Sequence, residues 1–166
     1  PRAALDALRG ALDAGETRYT GVSGTLALRD AVVADLARRK GVYYAPDEVL
    51  VSNGAKQSVY QAVLATVGPG DEVIVPAPYW PSYPEIVRLA GATPVVVGAS
   101  AADGYALTPE GLAAALTPRT RLLILCNPSN PSGCVLGAAA LDALADVLRS
   151  HEHGARVWVL ADEIYE

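Results

Sequence analysis

The chain has 166 residues, of which 51% are apolar and 19% are charged, so it can form a folded domain with a buried core. Thirteen basic and eighteen acidic residues give a net charge of −5, which excludes the basic surface typical of proteins that bind nucleic acid or anionic membranes. No apolar run approaches the roughly 20 residues that span a bilayer, so no membrane partner is expected.

From the amino end, the hydrophobic pattern predicts helices and strands that alternate from about residue 24 onward. A first helix covers Ala4–Ala14. A second helix has Leu28, Val32 and Leu36 on one face and ends near Lys40-Gly41. The remaining predicted elements, in chain order, are strand Val49–Val51, helix Lys56–Val67, strand Glu72–Val75, helix Ser82–Ala90, strand Pro94–Val97, helix Pro109–Leu116, strand Arg121–Leu125, helix Ala138–Ser150 and strand Arg156–Ala161. Val/Ile/Leu strands separated by helices predict an α/β fold, with a mostly parallel sheet covered by helices on both faces.

Polar side chains follow two of the predicted strands at their carboxyl ends. Asn130 lies in the loop after Leu122–Cys126, and Asp162 and Tyr165 follow the apolar run Val157–Ala161, which is predicted to be buried. The carboxyl ends of parallel strands meet at one edge of a sheet, where open α/β sheets bind their ligands. A carboxylate suits a protonated ring nitrogen, and an amide and a phenol suit a ring oxygen. These three side chains therefore predict a site for a pyridine ring that bears a hydroxyl.

A turn of small residues, Ser52 to Gln57, follows the first predicted strand and opens a helix. Its backbone N–H groups and the positive end of the helix dipole make it a candidate phosphate site. Taken alone, the motif is explained equally well as a tight strand-to-helix turn that needs glycine. Lys56, in the first helical turn, is predicted to point toward phosphate, substrate or solvent.

Two further features belong to the same edge of the predicted sheet. The proline-rich loop from Pro76 to Tyr83 carries Tyr79 and Trp80, and the Trp80 ring suits stacking on a flat cofactor. An aromatic side chain that caps the core edge is the alternative. Asn130-Pro131 is a candidate cis peptide that would orient the Asn130 side chain, although most X–Pro bonds are trans.

The cysteines and histidines of the chain do not have the spacing of metal ligands. Cys126 and Cys134 lack C-x-x-C spacing, so we expect reduced thiols in a cytoplasmic protein rather than a disulfide or a metal site. His151 and His153 stand at i and i+2, so they do not share a helical face and no metal site is expected there.

Five stretches of the chain together resemble the pyridoxal-phosphate-dependent class I/II aminotransferases of fold type I, and within them the aspartate aminotransferase-like subgroup. They occur in the family's order and are Tyr19–Gly24, Asn53–Gln57, Pro76–Trp80, Asn127–Gly133 and Asp162–Tyr165. The resemblance implies the large-domain fold of these transferases, pyridoxal 5'-phosphate as cofactor, and the exchange of an amino group between an amino acid and a 2-oxo acid. Aspartate, glutamate or an aromatic amino acid is the substrate class it implies.

By the same resemblance, one set of residues would hold the cofactor. Gly54, Ala55 and Lys56 would bind its phosphate, largely through backbone N–H groups, and Trp80 would stack on the pyridine. Tyr19 is similar to the tyrosine that reaches the phosphate of the neighbouring subunit, which implies a homodimer with shared sites.

A second set, by resemblance, would address the chemistry of the ring. Asn130 and Tyr165 would bond the ring hydroxyl, and Asp162 would pair with the ring nitrogen and keep it protonated. Asp162 and Tyr165 are therefore the catalytic candidates.

The resemblance also implies residues that these 166 positions do not contain. The family's Schiff-base lysine lies in a Ser-rich loop well after the D-x-x-Y stretch, and a carboxylate-binding arginine follows it. Neither matches this chain, whose two lysines are Lys40 and Lys56. We expect a fragment shortened at both ends: an N-terminal helical segment, 1–18, and a partial cofactor-binding large domain, 19–166, without its C-terminal part and small domain. The missing lysine argues against activity of the isolated chain.

Three other functions stay open. A carbon–sulfur β-lyase has the same fold, although Tyr79-Trp80 match the aspartate aminotransferase pattern better. A non-catalytic ligand-sensing domain, of the kind joined to a winged helix, is the second alternative, although nothing before Tyr19 is notably basic. A nicotinamide-binding Rossmann domain is the weakest, because no G-x-G-x-x-G follows the first predicted strand.

Overall fold

The computed structural model describes residues 1–165, which form two compact units, one from Pro1 to Asn53 and one from Gly54 onward. Strands and helices alternate along the second unit, and all its strands are parallel, so the predicted α/β class is confirmed. The predicted domain boundary after residue 18 stays a prediction. Tyr19 belongs to the first unit, and the other predicted site residues belong to the second.

The first unit contains two helices, α1 (Arg2–Asp13) and α2 (Leu26–Lys40), and a 3₁₀ turn, Pro46–Glu48. Both helices lie where the sequence predicts them. The Thr25 side chain caps α2 by accepting a hydrogen bond from a backbone N–H of the first turn. Gly41 ends the helix in the left-handed conformation, with a φ of 67°, which glycine adopts readily.

The predicted strand Val49–Val51 is wrong. These residues follow the 3₁₀ turn without strand structure, and the Leu50 side chain is exposed. The Val51 N–H donates a hydrogen bond to the Ser23 carbonyl at 3.0 Å. A strand needs a neighbouring strand to complete its ladder of hydrogen bonds, and this segment meets a loop instead.

Within the described residues, the second unit contains four strands and four α-helices. In chain order they are α3 (Ala55–Thr66), β1 (Glu72–Pro76), α4 (Ser82–Leu89), β2 (Thr93–Val97), α5 (Pro109–Ala115), β3 (Thr120–Cys126), α6 (Ala138–Ser150) and β4 (Trp158–Asp162). A 3₁₀ turn, Gly154–Arg156, precedes the last strand. The predicted elements of this unit are confirmed, with end positions that differ by no more than two residues.

The sheet has the strand order β2-β1-β3-β4. In register, Ile74 of β1 pairs with Val95 of β2 and with Leu123 of β3. The chain runs from β1 outward to β2 and then returns to the other side of β1 as β3. The carboxyl ends of β1 and β3 therefore flank the point where the strand order reverses, which is where open parallel sheets form ligand-binding crevices.

Helices cover both faces of the sheet, as predicted. One core lies between the sheet and helices α3 and α4, and its buried residues include Val59, Val63, Val73, Val75, Ile86, Val87, Leu122 and Ile124. The other core lies under α5 and α6, and its buried residues include Ile74, Leu112, Leu123 and Leu144. Successive strand residues point to opposite faces, so Val73 and Val75 enter the first core and Ile74 enters the second.

The last strand is more exposed than predicted. Trp158 is 65% exposed and Val159 is 48% exposed, although both belong to the apolar run Val157–Ala161. Within the described residues, β4 pairs only with β3. The expected burial is not seen among these residues, because a strand paired on one side only leaves exposed what a strand with two neighbours would bury.

A charged group is buried at the amino end of the sheet. Glu72, the first residue of β1, is 6% exposed. Its carboxylate accepts a hydrogen bond from the Thr117 hydroxyl at 2.5 Å and one from Arg119 Nε at 2.9 Å, and Arg119 Nη2 also donates to it. The Thr117 bond first, and the Arg119 contacts after it, lower the pKa of Glu72, although burial alone would raise it. The ionised carboxylate therefore ties β1 to the residues just before β3.

Among residues 1–165, no helix combines the length and the apolar character that crossing a membrane requires. The same residues include no group of three or more His, Cys, Asp and Glu side chains placed to bind a metal ion. Both cysteines are free thiols, Cys126 at the end of β3 and Cys134 in the loop that follows it.

Candidate functional site

Four segments of the second unit enclose a cleft at the carboxyl edge of the sheet. They are the start of α3, the loop after β1, the loop after β3 and the segment after β4. The cleft is lined by Ala55, Lys56, Trp80, Tyr83, Cys126, Asn130, Asp162, Ile164 and Tyr165. Most of the side chains that were predicted from separate stretches of the sequence therefore meet in one place.

The start of α3 has the local geometry of an anion site. Gly54 precedes the helix with a φ of 84°, a conformation that favours a residue without a Cβ atom. Because α3 begins at Ala55, the N–H groups of Ala55 and Lys56 have no helical carbonyl one turn earlier to bond. The N–H of Gln57 donates to the Gly54 carbonyl at 3.1 Å. Backbone donors directed out of a helix end suit a phosphate group.

The loop after β1 presents a flat aromatic surface. The Trp80 and Tyr83 rings meet edge to face, with centroids 5.3 Å apart and an angle of 89° between their planes. The Lys56 ammonium lies 4.9 Å from the Trp80 ring centroid, within the range of a cation–π contact. Trp80 is thus fixed by Tyr83 on one side and lies beside a positive charge that also lines the cleft.

Asp162, the last residue of β4, supplies the carboxylate of the cleft. Its Oδ2 accepts a hydrogen bond from the Tyr83 hydroxyl at 2.5 Å, and its Oδ1 accepts one from the Ile164 backbone N–H at 3.2 Å. The Asp162 backbone carbonyl accepts a hydrogen bond from the Asn127 N–H at 3.1 Å. A carboxylate has about four lone-pair directions, so Asp162 is oriented by the protein and can still accept a bond from a ligand.

Tyr83 is a permanent hydrogen-bond donor to this carboxylate. Its side chain is 3% exposed. Burial first, and then the hydrogen bond to Asp162, raise the pKa of Tyr83 far above its ordinary value of 10.0, with a smaller effect of the same sign from Cys126. The phenol therefore stays protonated and continues to donate across the physiological pH range.

The loop after β3 is cross-linked by its own hydrogen bonds. Asn127 Oδ1 accepts a bond from the Leu136 N–H at 2.8 Å, and Asn127 Nδ2 donates to the Leu136 carbonyl at 3.2 Å. Inside that pair, the Ser129 N–H donates to the Cys134 carbonyl at 2.9 Å. The candidate cis peptide between Asn130 and Pro131 is cis. Asn130 is therefore presented to the cleft by a closed loop.

The two remaining predicted tyrosines have different surroundings. Tyr165 lines the cleft and more than half of its side chain is exposed. Tyr19 is fully exposed on the first unit, so its predicted contact with a neighbouring subunit stays a prediction. The individual cofactor contacts assigned by resemblance also stay predictions.

Two residues that build the site were not predicted, Tyr83 and Asn127. Tyr83 follows Trp80 by three positions at the start of α4, a helical spacing that brings side chains together and could have indicated the pair. Asn127 gives no comparable signal, because its partner Leu136 is nine positions away across an irregular loop.

The cleft combines groups of complementary chemistry. Lys56 and the α3 start are positive, Asp162 is a carboxylate that accepts protons or hydrogen bonds, Asn130 and Tyr165 are neutral polar groups, and Trp80 is a flat apolar wall. Binding sites of this kind use apolar surface for affinity and a few placed polar groups for orientation. The set suits a flat heteroaromatic molecule with a protonated ring atom and an anionic substituent.

Comparison with known proteins identifies the relatives of this arrangement. The family model "aminotransferase class I and II" matches residues 1–166. The chain is 49% identical over 166 residues to the bifunctional aspartate aminotransferase and glutamate/aspartate-prephenate aminotransferase of Petunia hybrida, a match that covers 100% of this chain and 34% of that protein. It is 49% identical over 160 residues to the aspartate/prephenate aminotransferase of Cereibacter sphaeroides, covering 96% of this chain and 39% of that protein.

The solved structures agree with the sequence relatives. The crystal structure of the aspartate aminotransferase from Rhizobium meliloti matches with a TM-score of 0.92 and 44% identity, covering 98% of this chain and 40% of that chain. The chain therefore spans between 34% and 40% of the length of these three proteins.

Proposed function

The chain belongs to the class I and II aminotransferase family, and we propose that it forms the cofactor-binding part of an enzyme that exchanges an amino group between an amino acid and a 2-oxo acid. Enzymes of this family are generally dependent on pyridoxal phosphate. The observation that carries the proposal is the convergence of Asp162, Asn130 and Trp80 with the start of α3 in one cleft.

The start of α3 fits the phosphate of pyridoxal phosphate. The N–H groups of Gly54, Ala55 and Lys56 would hold it, because donors at a helix start bind anions and the helix dipole favours negative charge there. The Lys56 ammonium adds a positive charge to the same side of the cleft. The Trp80 ring would stack on the pyridine, because a flat aromatic side chain in the cleft lining offers a surface to a flat ligand.

The carboxylate side of the cleft fits the ring itself. When bound, pyridoxal phosphate supplies an electron sink for the electrons left when a substrate Cα–H bond breaks. Asp162 would keep a proton on the ring nitrogen, because a negative charge beside a base favours its protonated form. Asn130 and Tyr165 would hold the ring hydroxyl and so fix the orientation of the ring. Trp80 would exclude water from one side of it.

We propose substrates that carry two carboxylates. The Petunia relative is named for aspartate, glutamate and prephenate, and the Cereibacter relative for aspartate and prephenate. Each of these compounds carries two carboxylates. An enzyme that recognises both needs one positive group for the carboxylate next to the reacting carbon and a second positive group for the other carboxylate. Lys56 is a cation of the cleft that such a carboxylate or the phosphate could use. These names favour amino-group transfer over the carbon–sulfur β-lyase alternative.

We further propose a homodimer in the cytoplasm. Support for the dimer is the complete exposure of the Tyr19 side chain, which leaves its hydroxyl accessible to a second subunit. Support for the cytoplasm is the free-thiol state of Cys126 and Cys134, which is usual in a reducing compartment.

Calorimetric titration of the chain with pyridoxal phosphate tests the proposed function. We expect saturable binding by the wild-type chain and weaker binding of pyridoxal, which lacks the phosphate. Trp80→Ala should weaken binding of pyridoxal phosphate about tenfold, since an aromatic contact contributes about 0.5–1.5 kcal/mol beyond the apolar area it buries.

Trp158→Ala is the matched control, because Trp158 is the second tryptophan of the chain and lies exposed on β4, away from the residues that line the cleft. Its affinity should equal that of the wild type. Absence of binding by the wild-type chain, or equal losses in the two tryptophan variants, would contradict the proposed function.

A further inference from the structure

Tyr83 lines the cleft but has no part in the cofactor contacts above. Its ring is buried on the first turn of α4, and its hydroxyl reaches a carboxylate 79 positions further along the chain. The bond to Asp162 Oδ2, at 2.5 Å, joins the segment after β1 to the end of β4. A phenylalanine ring would fill the same core space, so the hydroxyl needs an explanation other than packing.

The hydroxyl fixes the orientation of the Asp162 carboxylate. Tyr83 and the Ile164 N–H each donate to a different oxygen of the carboxylate, which fixes its plane. The lone pairs that these two donors leave free then point in defined directions, and one of them is available to a ligand. A base that faces this carboxylate is met by an acceptor already in place.

We propose that Tyr83 is a positioning residue that holds the Asp162 carboxylate directed at the ring nitrogen of the bound cofactor, an inference that rests on the proposed function. Burial keeps the phenol protonated, so the donor persists at every pH at which an aminotransferase is assayed. The Trp80 contact of Tyr83 belongs to its ring and not to its hydroxyl. Tyr83→Phe therefore removes the proposed role and leaves the support of Trp80 in place.

The test compares two ligands that differ at the ring nitrogen. One is pyridoxal phosphate, and the other is its 1-deaza analogue, in which a C–H group replaces the nitrogen. Tyr83→Phe should weaken binding of pyridoxal phosphate by up to about tenfold, because the carboxylate released from Tyr83 must then be ordered when the ligand binds. It should leave affinity for the analogue nearly unchanged. Tyr60→Phe is the control, because Tyr60 is an exposed tyrosine of α3 that does not line the cleft, and both affinities should match the wild type.

A second measurement depends on the pair rather than on one residue. In a double-mutant cycle, Tyr83→Phe added to Asp162→Asn should weaken binding of pyridoxal phosphate no further than Asp162→Asn alone, because the two groups act as one unit. Additive losses would overturn the inference.

The outcomes separate this inference from the proposed function. Equal losses for both ligands in Tyr83→Phe would show that the residue only supports the structure, and would overturn the inference while leaving the proposed function intact. Failure of the wild-type chain to bind either ligand would overturn the proposed function, and this inference with it.

Discussion

Replacing Asn127 by alanine should loosen the loop that presents Asn130 to the cleft. The Asn127 side chain makes two hydrogen bonds to the backbone of Leu136, at 2.8 Å and 3.2 Å, and these close the loop after β3. Leu136 is buried, so water does not readily replace either bond. The variant therefore removes two bonds and leaves a buried N–H and a buried carbonyl without these partners.

The size of the effect follows from those two bonds. Each neutral hydrogen bond contributes about 0.5–1.5 kcal/mol net, and a buried group left unsatisfied costs about 1–3 kcal/mol. We expect the free energy of unfolding to fall by about 2–4 kcal/mol, at the upper end if no water enters the loop. Affinity for pyridoxal phosphate should fall as well, because the freed loop must be ordered again when Asn130 contacts the ligand.

Urea unfolding and calorimetric titration together measure both effects. Asn130→Ala is the matched control, because it removes the same side chain from the same loop without breaking the two bonds to Leu136. It should weaken ligand binding yet change stability by no more than about 0.5 kcal/mol, as is usual away from special contacts. If Asn127→Ala were as stable as Asn130→Ala, the two bonds would not hold the loop and this reasoning would be refuted.

Three further variants or treatments test other parts of the chain. Glu72→Gln should lower the free energy of unfolding by about 1–2 kcal/mol at neutral pH, because the buried side chain loses its charge-assisted hydrogen bonds while Arg119, 65% exposed, stays hydrated. The hydrogen bonds of Glu72 lower its pKa in the folded state, so the stability that its ionised carboxylate gives the wild type is complete above the ordinary pKa of 4.5. That stability is lost as the pH falls through the lowered pKa of the folded protein. The urea midpoints of the wild type and the variant should therefore converge in acid. Gly154→Ala should lower the free energy of unfolding by about 3 kcal/mol, since a Cβ atom there would overlap the Leu148 carbonyl group. Gly68→Ala should unfold at nearly the wild-type urea concentration, because no atom lies within 4 Å of the added Cβ. Borohydride reduction with pyridoxal phosphate, followed by peptide mapping, should label neither lysine stoichiometrically, because Lys40 does not line the cleft and Lys56 lies at the helix start proposed to face the phosphate. One fully labelled lysine would refute this.

The fold was predictable because its signals are local. Runs of Val, Ile and Leu mark β1 and β3, and a run rich in Ala and Leu marks α6, whose predicted bounds match the structure. The two failures concern partners rather than propensity. Within the described residues, Val49–Val51 has strand composition but no strand beside it, and β4 is apolar but pairs with a strand on one side only. The amino-acid composition of a segment indicates which secondary structure it can form. Whether the segment pairs with another strand, and how far it is buried, depends on the elements beside it in the fold.

The site was predictable to the extent that it consists of strand-end groups. Asn130, Asp162 and Tyr165 follow strands, and parallel strands end at one edge, so their meeting required no knowledge of the loops. Asn127 and Tyr83 were not predictable in the same way. Their bonds join residues nine and 79 positions apart, and such contacts depend on the path of the folded chain.

The groups that would contact the ligand are the ones the motifs reveal, and the groups that hold them in place are the ones only the fold reveals. Asp162 is oriented by Tyr83 from α4, Asn130 by the two bonds of Asn127 to Leu136, and Trp80 by its edge-to-face contact with the Tyr83 ring. All of these supports are contacts that the chain makes with itself, and a group held by such contacts costs less binding free energy to order. Replacing Tyr83 or Asn127 should therefore weaken ligand binding although the contacting side chains are still present. Those side chains would be disordered, and the ligand would have to order them when it binds.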